Sequence, residues 1–376
     1  MQEAKIRRII IKGLKDQGFT INGKSIIPPP LDNKSKIRAL HTPAVEHKLD
    51  ISKKYLAKHE NQLLKNIANG KEISPLKIQP KIIEVKPNTM YELLFRYVSL
   101  HWSIPVSSGY GRRLRFVVLD EQNSKLIGIF GLGDPVYNLS ARDQWIGWTK
   151  TQKKKKLQNV MDAFVLGAVP PYSMLLCGKM VAMCLTSNEV RKGFYKKYGL
   201  KKSLIKRRKL DSRLALITTL SALGKSSIYN RIKYNKQLLY RSVGFTQGSG
   251  EFHFSNGLYD IISEYANKYC KPTAKQEEWG TGFRNRREIV RKTLSHLGLS
   301  CDWLYHGIKR EIFVIPLAKN TRQFLQGKHK KLLWNNHSTE QITDFFLERW
   351  LLPRAKHNKN YKEFNRDTYA FWNGKN

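Results

Sequence analysis

Acidic side chains are what this 376-residue chain is short of: 29 Asp and Glu stand against 68 Lys and Arg, a net charge of +39. The excess runs along the whole length instead of sitting in a tail. A compact fold with that charge repels itself unless a polyanion or counterions offset it. Nucleic acid is therefore the expected partner, with DNA ahead of RNA; the plain alternative is a Lys-rich surface inherited from an AT-rich genome. Cysteine is scarce as well. Cys177, Cys184, Cys270 and Cys301 show no CxxC spacing, which argues against a zinc site or a disulfide framework and suits a reducing, cytoplasmic compartment. No window approaches about eighteen uninterrupted apolar residues, so no membrane span or membrane partner is expected.

Nucleotide-binding loops are missing too. Leu223 to Ser227 carries Gly-Lys-Ser, but a P-loop needs a glycine where Thr219 stands, and Gly131-Leu-Gly133 and Gly280-Thr-Gly282 lack the third glycine of a dinucleotide fingerprint. No cofactor is evident. Internal repeats are absent, and low complexity is limited to the Lys runs.

What is present centres on Gly109 to Trp148. Leu114–Leu119 and Leu126–Leu132 are rich in Val, Ile and Phe, and Asp120 to Ser124 between them has turn chemistry, which predicts a β-hairpin. Arg112, Arg113 and Arg115 crowd its entrance; Arg142, Asp143, Trp145 and Trp148 crowd its exit. Guanidinium groups beside indoles are suited to a polyanion, cations on phosphates and rings against bases. Tyr110 joins this set, as do Lys206, Arg207 and Arg208 in the Arg191 to Lys209 stretch, where basic residues alternate with Phe194, Tyr195 and Tyr198. Lys150 to Lys156 is read as a solvated helix face or a phosphate contact.

Strand and helix patterns alternate from Leu114 to Phe254, which implies an α/β (α+β) fold: a central mixed β-sheet with crossover helices, flanked by helical N- and C-terminal regions. The expected division is a basic, mostly helical region at 1–90 with Pro-rich linkers (Ile73 to Pro87 among them), a mixed α/β domain at 91–270 and a basic, mainly helical region at 271–376. Within it, Met90 to Trp102 and Leu258 to Tyr269 are expected as helices, Ala163 to Val169 and Leu214 to Leu220 as strands. Ser226 to Tyr240 is also expected as a helix, and Thr339 to Arg349 as a last one closed by Pro353.

Catalytic candidates are fewer. Asp134, Asp143, Asp162 and Glu189 are carboxylates that could hold Mg²⁺ in a metal-dependent nuclease or strand transferase, though no two share a short rigid spacing. In Tyr305 to Glu311, His306 offers a general acid or base, Lys309 and Arg310 an anion clamp and Glu311 an orienting carboxylate; the bland reading is that His306 and Glu311 satisfy backbone groups at a tight turn.

The strings GYGRRLRF, IGIFGLGDPVYNLSARDQWIGW and LYHGIKREIFVIPLA resemble the DruA family of Druantia anti-phage defence systems, over about Ser99 to Arg354. The resemblance implies a bacterial defence component acting with other Druantia subunits, including a large helicase-like protein, and no settled catalysis. A second resemblance concerns fold. The succession of strand, loop, helix and strand from Ala163 to Leu220, followed by LLYRSVGF, is similar to the back half of a GNAT-type N-acetyltransferase, which would make the sheet GNAT-like. The loop Pro170 to Gly178 lacks that family's Gly-rich pyrophosphate pattern, so the implied enzyme would be a degenerate acyltransferase.

Overall fold

The computed structural model describes residues 2–106, 111–200, 212–255, 257–273, 279 and 283–373. The chain opens with α1 (Gln2–Asp16), the small hairpin β1 (Thr20–Asn22) and β2 (Ser25–Ile27), α2 (Lys34–Leu56) and α3 (Glu60–Leu64). Then come β3 (Pro80–Glu84), α4 (Met90–Ser99), β4 (Arg113–Asp120), β5 (Lys125–Gly133), α5 (Ser140–Ile146), α6 (Lys150–Lys156) and β6 (Val160–Ala168). The next elements are α7 (Cys177–Cys184), α8 (Asn188–Phe194), β7 (Leu216–Leu220), the hairpin β8 (Lys233–Tyr234) and β9 (Gln237–Leu238), β10 (Arg241–Phe245), α9 (Leu258–Tyr269) and α10 (Phe283–His296). The described chain closes with β11 (Glu311–Pro316), α11 (Thr321–Leu325), α12 (Thr339–Phe346) and α13 (Leu352–His357).

Seven strands form one mixed sheet in the order β10-β11-β7-β6-β5-β4-β3. Every pair is antiparallel except β6 and β7, which run parallel over Val160–Ala163 against Leu216–Thr219. The expected hairpin is β4 and β5, with Phe116 opposite Phe130. Alternation along β4 sends Leu114, Phe116 and Val118 into the core shared with α7 and α12, and Val117 and Leu119 into a second core under α4. A third core, built on Ile10, Leu14, Phe254, Ile262 and Leu294, ties α1 to α9 and α10. A fourth, smaller one joins Ile146, Val160, Leu216, Val314 and Phe324 at the other end of the sheet.

Three elements differ from the sequence reading. The Pro-rich connector from Ile73 to Pro87 contributes the outermost strand, with Pro80 opposite Asp120; a proline at the first position of an edge strand costs no ladder hydrogen bond. Ser226 to Tyr240 is not a helix. Its apolar residues have helical spacing, but Asn235 and Lys236 take positive φ angles of 44° and 65° and turn the chain into the β8–β9 hairpin. Pro353 does not close the last helix. The chain passes from α12 through a wider turn at Leu347–Leu351 directly into α13, and Pro353 lies just after that wider turn.

Candidate nucleic-acid interface

The crowded arginines of the central hairpin are engaged by the protein itself. Arg112 donates through Nε to Asp134 Oδ1 at 2.6 Å, and its Nη1 reaches the Gln158 carbonyl at 2.7 Å. Arg113 lies over the Phe164 ring, 3.9 Å from its centroid. Burial, then the neighbouring Arg115 charge, pulls its pKa down to about 10. Arg115 pairs with Glu92 at 3.0 Å. The glycines opposite make this possible: a side chain on Gly131 would collide with the Phe164 ring, and one on Gly133 would touch the Arg113 guanidinium. Those positions are kept small for protein groups.

Arg142 is fully buried. It donates to the Val136 and Tyr137 carbonyls at 2.8 and 3.1 Å and to Asp143 Oδ1 at 2.7 Å, while Lys153 holds the other Asp143 oxygen at 2.7 Å. The pair therefore fastens the 134–139 loop to α5. Trp148 is anchored by its Nε1 donating to the Leu325 carbonyl at 2.8 Å. Gly147, with φ of 78°, closes α5 in the left-handed conformation that glycine takes most readily. Trp145 differs from its neighbours: it is half-buried and lines an open cavity.

The catalytic candidates are dispersed. Asp134 is held by Arg112, and Asp143 by Arg142 and Lys153. Asp162 faces Thr218 across the parallel strands, accepting from its hydroxyl and, at 2.8 Å, from the Val136 N–H. Burial raises its pKa to about 7. Among the described residues no three His, Cys, Asp or Glu side chains gather closely enough to hold a metal ion. His306 is buried and accepts from the Ile308 N–H at 3.1 Å; its ring lies 5.7 Å from His253. Arg310 reaches His41 Nε2 at 3.3 Å. Burial and this nearby charge lower the pKa of His41 to about 3 and that of His306 to about 4. Burial, and then the neighbouring His306, lowers His253 to about 3. Glu311 points elsewhere, taking hydrogen bonds from Ser226 N at 2.9 Å and Ser242 Oγ at 2.7 Å. Arg310, just before β11, and Glu311, its first residue, therefore reach different partners.

Of the basic-aromatic segment, Phe194 is buried and the Tyr198 hydroxyl binds the Arg113 backbone at 2.8 Å, whereas Tyr195 is exposed. Tyr110, Lys206, Arg207 and Arg208 lie outside the described residues.

Two cavities open on basic surfaces. The larger, about 420 Å³, lies between the start of α2, at Lys34, and the loops that carry Lys225 and Lys309, with Asp32 also in its lining. The smaller, about 230 Å³, is walled by Trp145, the β8–β9 hairpin, the end of β11 and α11; Arg241, Lys319, Arg322, Gln237, Gln323 and Asn335 line it. The Arg322 guanidinium lies 5.5 Å from the Trp145 ring centroid. Beside α11, α6 is tied in by Gln152 donating to the Gln326 carbonyl at 2.8 Å and leaves Lys150, Lys154 and Lys155 exposed. From Lys319 to Lys331 five cations and no acid occur. Sequence reasoning found Trp145 but none of the other lining residues, because they come from separate stretches that only the fold brings together.

With this geometry in place, the relatives are informative. The family model for Druantia protein DruA matches residues 31–327. The Druantia protein DruA of Escherichia coli (strain UMEA 4076-1) is 38% identical over 373 residues, spanning 99% of this chain and 92% of that protein. No solved structure matches. The chain belongs to the DruA family, and so to the proteins of the Druantia anti-phage defence systems. Among the described residues no helix is long and apolar enough to cross a membrane.

Proposed function

We propose that this protein serves Druantia defence by binding nucleic acid, DNA ahead of RNA, through the basic surface formed by α6, α11 and the loop after α11. It would work alongside other Druantia subunits, including the helicase-like one that the family resemblance implies. One observation carries the reading: with 68 cations and 29 acids, at least 39 cations have no acid to pair with one to one. Several of them share one face next to a half-buried indole. Neutralised phosphates release counterions, so affinity should fall steeply as salt rises. The test is binding of labelled DNA and RNA, single- and double-stranded, from low to physiological salt. Absence of binding, or affinity that does not change with salt, would end this reading.

A degenerate GNAT-fold acyltransferase is a second reading. It is favoured by the single parallel pair β6–β7, joined through α7, in an otherwise antiparallel sheet. Against it, Tyr172, Leu175 and Cys177 in the loop that would cradle a pyrophosphate are buried. Stabilisation of the protein against heat by millimolar coenzyme A would favour it, and the absence of a shift would discard it. A nuclease or strand transferase would need Mg²⁺ and would lose activity, with binding kept, on Asp134→Ala or Asp143→Ala.

A further inference from the structure

We propose that the cavity beside Trp145 is a receptor for one unpaired nucleobase together with its phosphate. The inference rests on the nucleic-acid reading above and adds to it the form of nucleic acid preferred.

Three features of the lining point to this ligand. The first is the combination of an aromatic wall with cations and no acid. Trp145 offers an indole, Arg241, Lys319 and Arg322 offer positive charge, and among the described residues no carboxylate lines the space. None of the three cations forms an ion pair with a described residue, whereas Arg112, Arg115 and Arg142 all do. A surface cation left without an acid beside an aromatic ring is suited to a phosphate whose base stacks.

The second feature is the amides. Gln237 and Gln323 expose side chains that carry both a donor and an acceptor, and neither makes a hydrogen bond within the described protein. Amides of this kind match the edges of an unpaired base. An acidic peptide would use the cations and leave the indole and the amides idle.

The third is size. At about 230 Å³ the cavity falls below the roughly 300–1,000 Å³ of pockets for drug-sized ligands. It suits a single planar ring and gives no entry to a paired duplex. The walls are also supported from behind: Ile146, next to Trp145, is buried, and its carbonyl accepts from Gln326 Nε2 at 2.5 Å. The Thr321 hydroxyl bonds the Ala318 and Ala215 carbonyls at 2.8 and 3.1 Å. The floor is therefore fixed, and the charged and amide side chains project from it.

The experiment compares a blunt duplex, the same duplex with a short single-stranded overhang, and an overhang whose residues are abasic, each bound to the full chain at fixed salt. The wild-type protein should prefer the based overhang by roughly 5- to 150-fold, the range of one stacked base, and abasic residues should remove the preference. Trp145→Ala should erase it while blunt-duplex binding persists. Because Trp145 also touches the core, the exposed pair Arg322→Ala with Gln323→Ala serves as a second variant, expected to fold normally and to lose most of the preference. Competition by a free nucleoside monophosphate at micromolar concentration would assign the pocket to free nucleotides, and competition by overhang strands alone would assign it to strand ends; either upholds the proposal. Equal binding of all three probes, or a preference that both variants retain, overturns it while the nucleic-acid reading stands. Failure to bind any probe at low salt overturns both.

Discussion

Two sets of arginines flank the same sheet and do opposite things. On the β4–β5 side, Arg112, Arg115 and Arg142 each reach a carboxylate, and Arg113 lies on a phenyl ring. On the β10–β11 side, Arg241 and Arg322 line a cavity with no acid among its described lining residues. The first set is dense in sequence because it brackets two strands whose ends must be tied down. The second set is sparse in sequence and becomes dense only in space. A cluster of cations in a sequence is thus a poor guide to a binding surface when carboxylates such as Asp134 and Asp143 lie within the same stretch.

The contrast is sharpest at Arg142. Arg142→Ala should cost about 3–5 kcal/mol, since it strands two backbone carbonyls and leaves Asp143 with Lys153 alone. Denaturant unfolding would read this as a lowered midpoint, and a change below about 1 kcal/mol would break the assignment of Arg142 to the fold. The triple variant Arg241→Ala, Lys319→Ala, Arg322→Ala is expected to do the reverse, leaving stability within about 0.5 kcal/mol because these are exposed side chains, while nucleic-acid affinity falls.

Acid should separate the buried regions. His41, His253 and His306 have pKa values lowered to about 3, 3 and 4, so the folded state binds fewer protons than the unfolded chain between those values and the ordinary histidine pKa near 6.5. Their contribution is complete above pH 6.5 and is lost as pH falls through that window. Asp162 acts with the opposite sign. Its raised pKa of about 7 means that the folded state holds a proton which the unfolded chain has released, so stability declines as pH rises from about 4 to 7. Asp162→Asn should remove that decline, making the pH dependence of the melting temperature steeper on its alkaline-rising side; an unchanged profile would contradict the burial of this carboxyl. Among the paired arginines, Arg115→Ala should cost far less than Arg142→Ala. Its pair with Glu92 is partly exposed and shared with Arg96, so a loss of no more than about 1 kcal/mol should be seen by the same unfolding measurement.

Much of the fold was legible in the residues. The β4–β5 hairpin, α4, β6, β7 and α9 follow from alternation, helical spacing and turn chemistry that agree with the tertiary context. Legibility failed where two signals compete. Ile228, Ile232 and Leu239 satisfy a helical period, yet Asn235 and Lys236 accept positive φ and the chain becomes a hairpin. Pro80 reads as a linker residue, yet the first place of an edge strand suits it. For the candidate site, Trp145 was visible because indoles beside arginines are conspicuous. Arg241, Gln237, Lys319 and Arg322 were not, since nothing local distinguishes them from other surface residues; β10 and β11, adjacent in the sheet, are separated in sequence by α9 and α10.

The most direct test of the account is the slope of log affinity against log salt concentration for a DNA probe with a single-stranded overhang, measured for the wild-type protein and for the Arg241, Lys319, Arg322 triple variant. The expected result is a steep slope for the wild type and one shallower by about 2 to 3 for the variant, corresponding to three lost phosphate contacts. A flat wild-type slope, or a variant slope equal to that of the wild type, would contradict it.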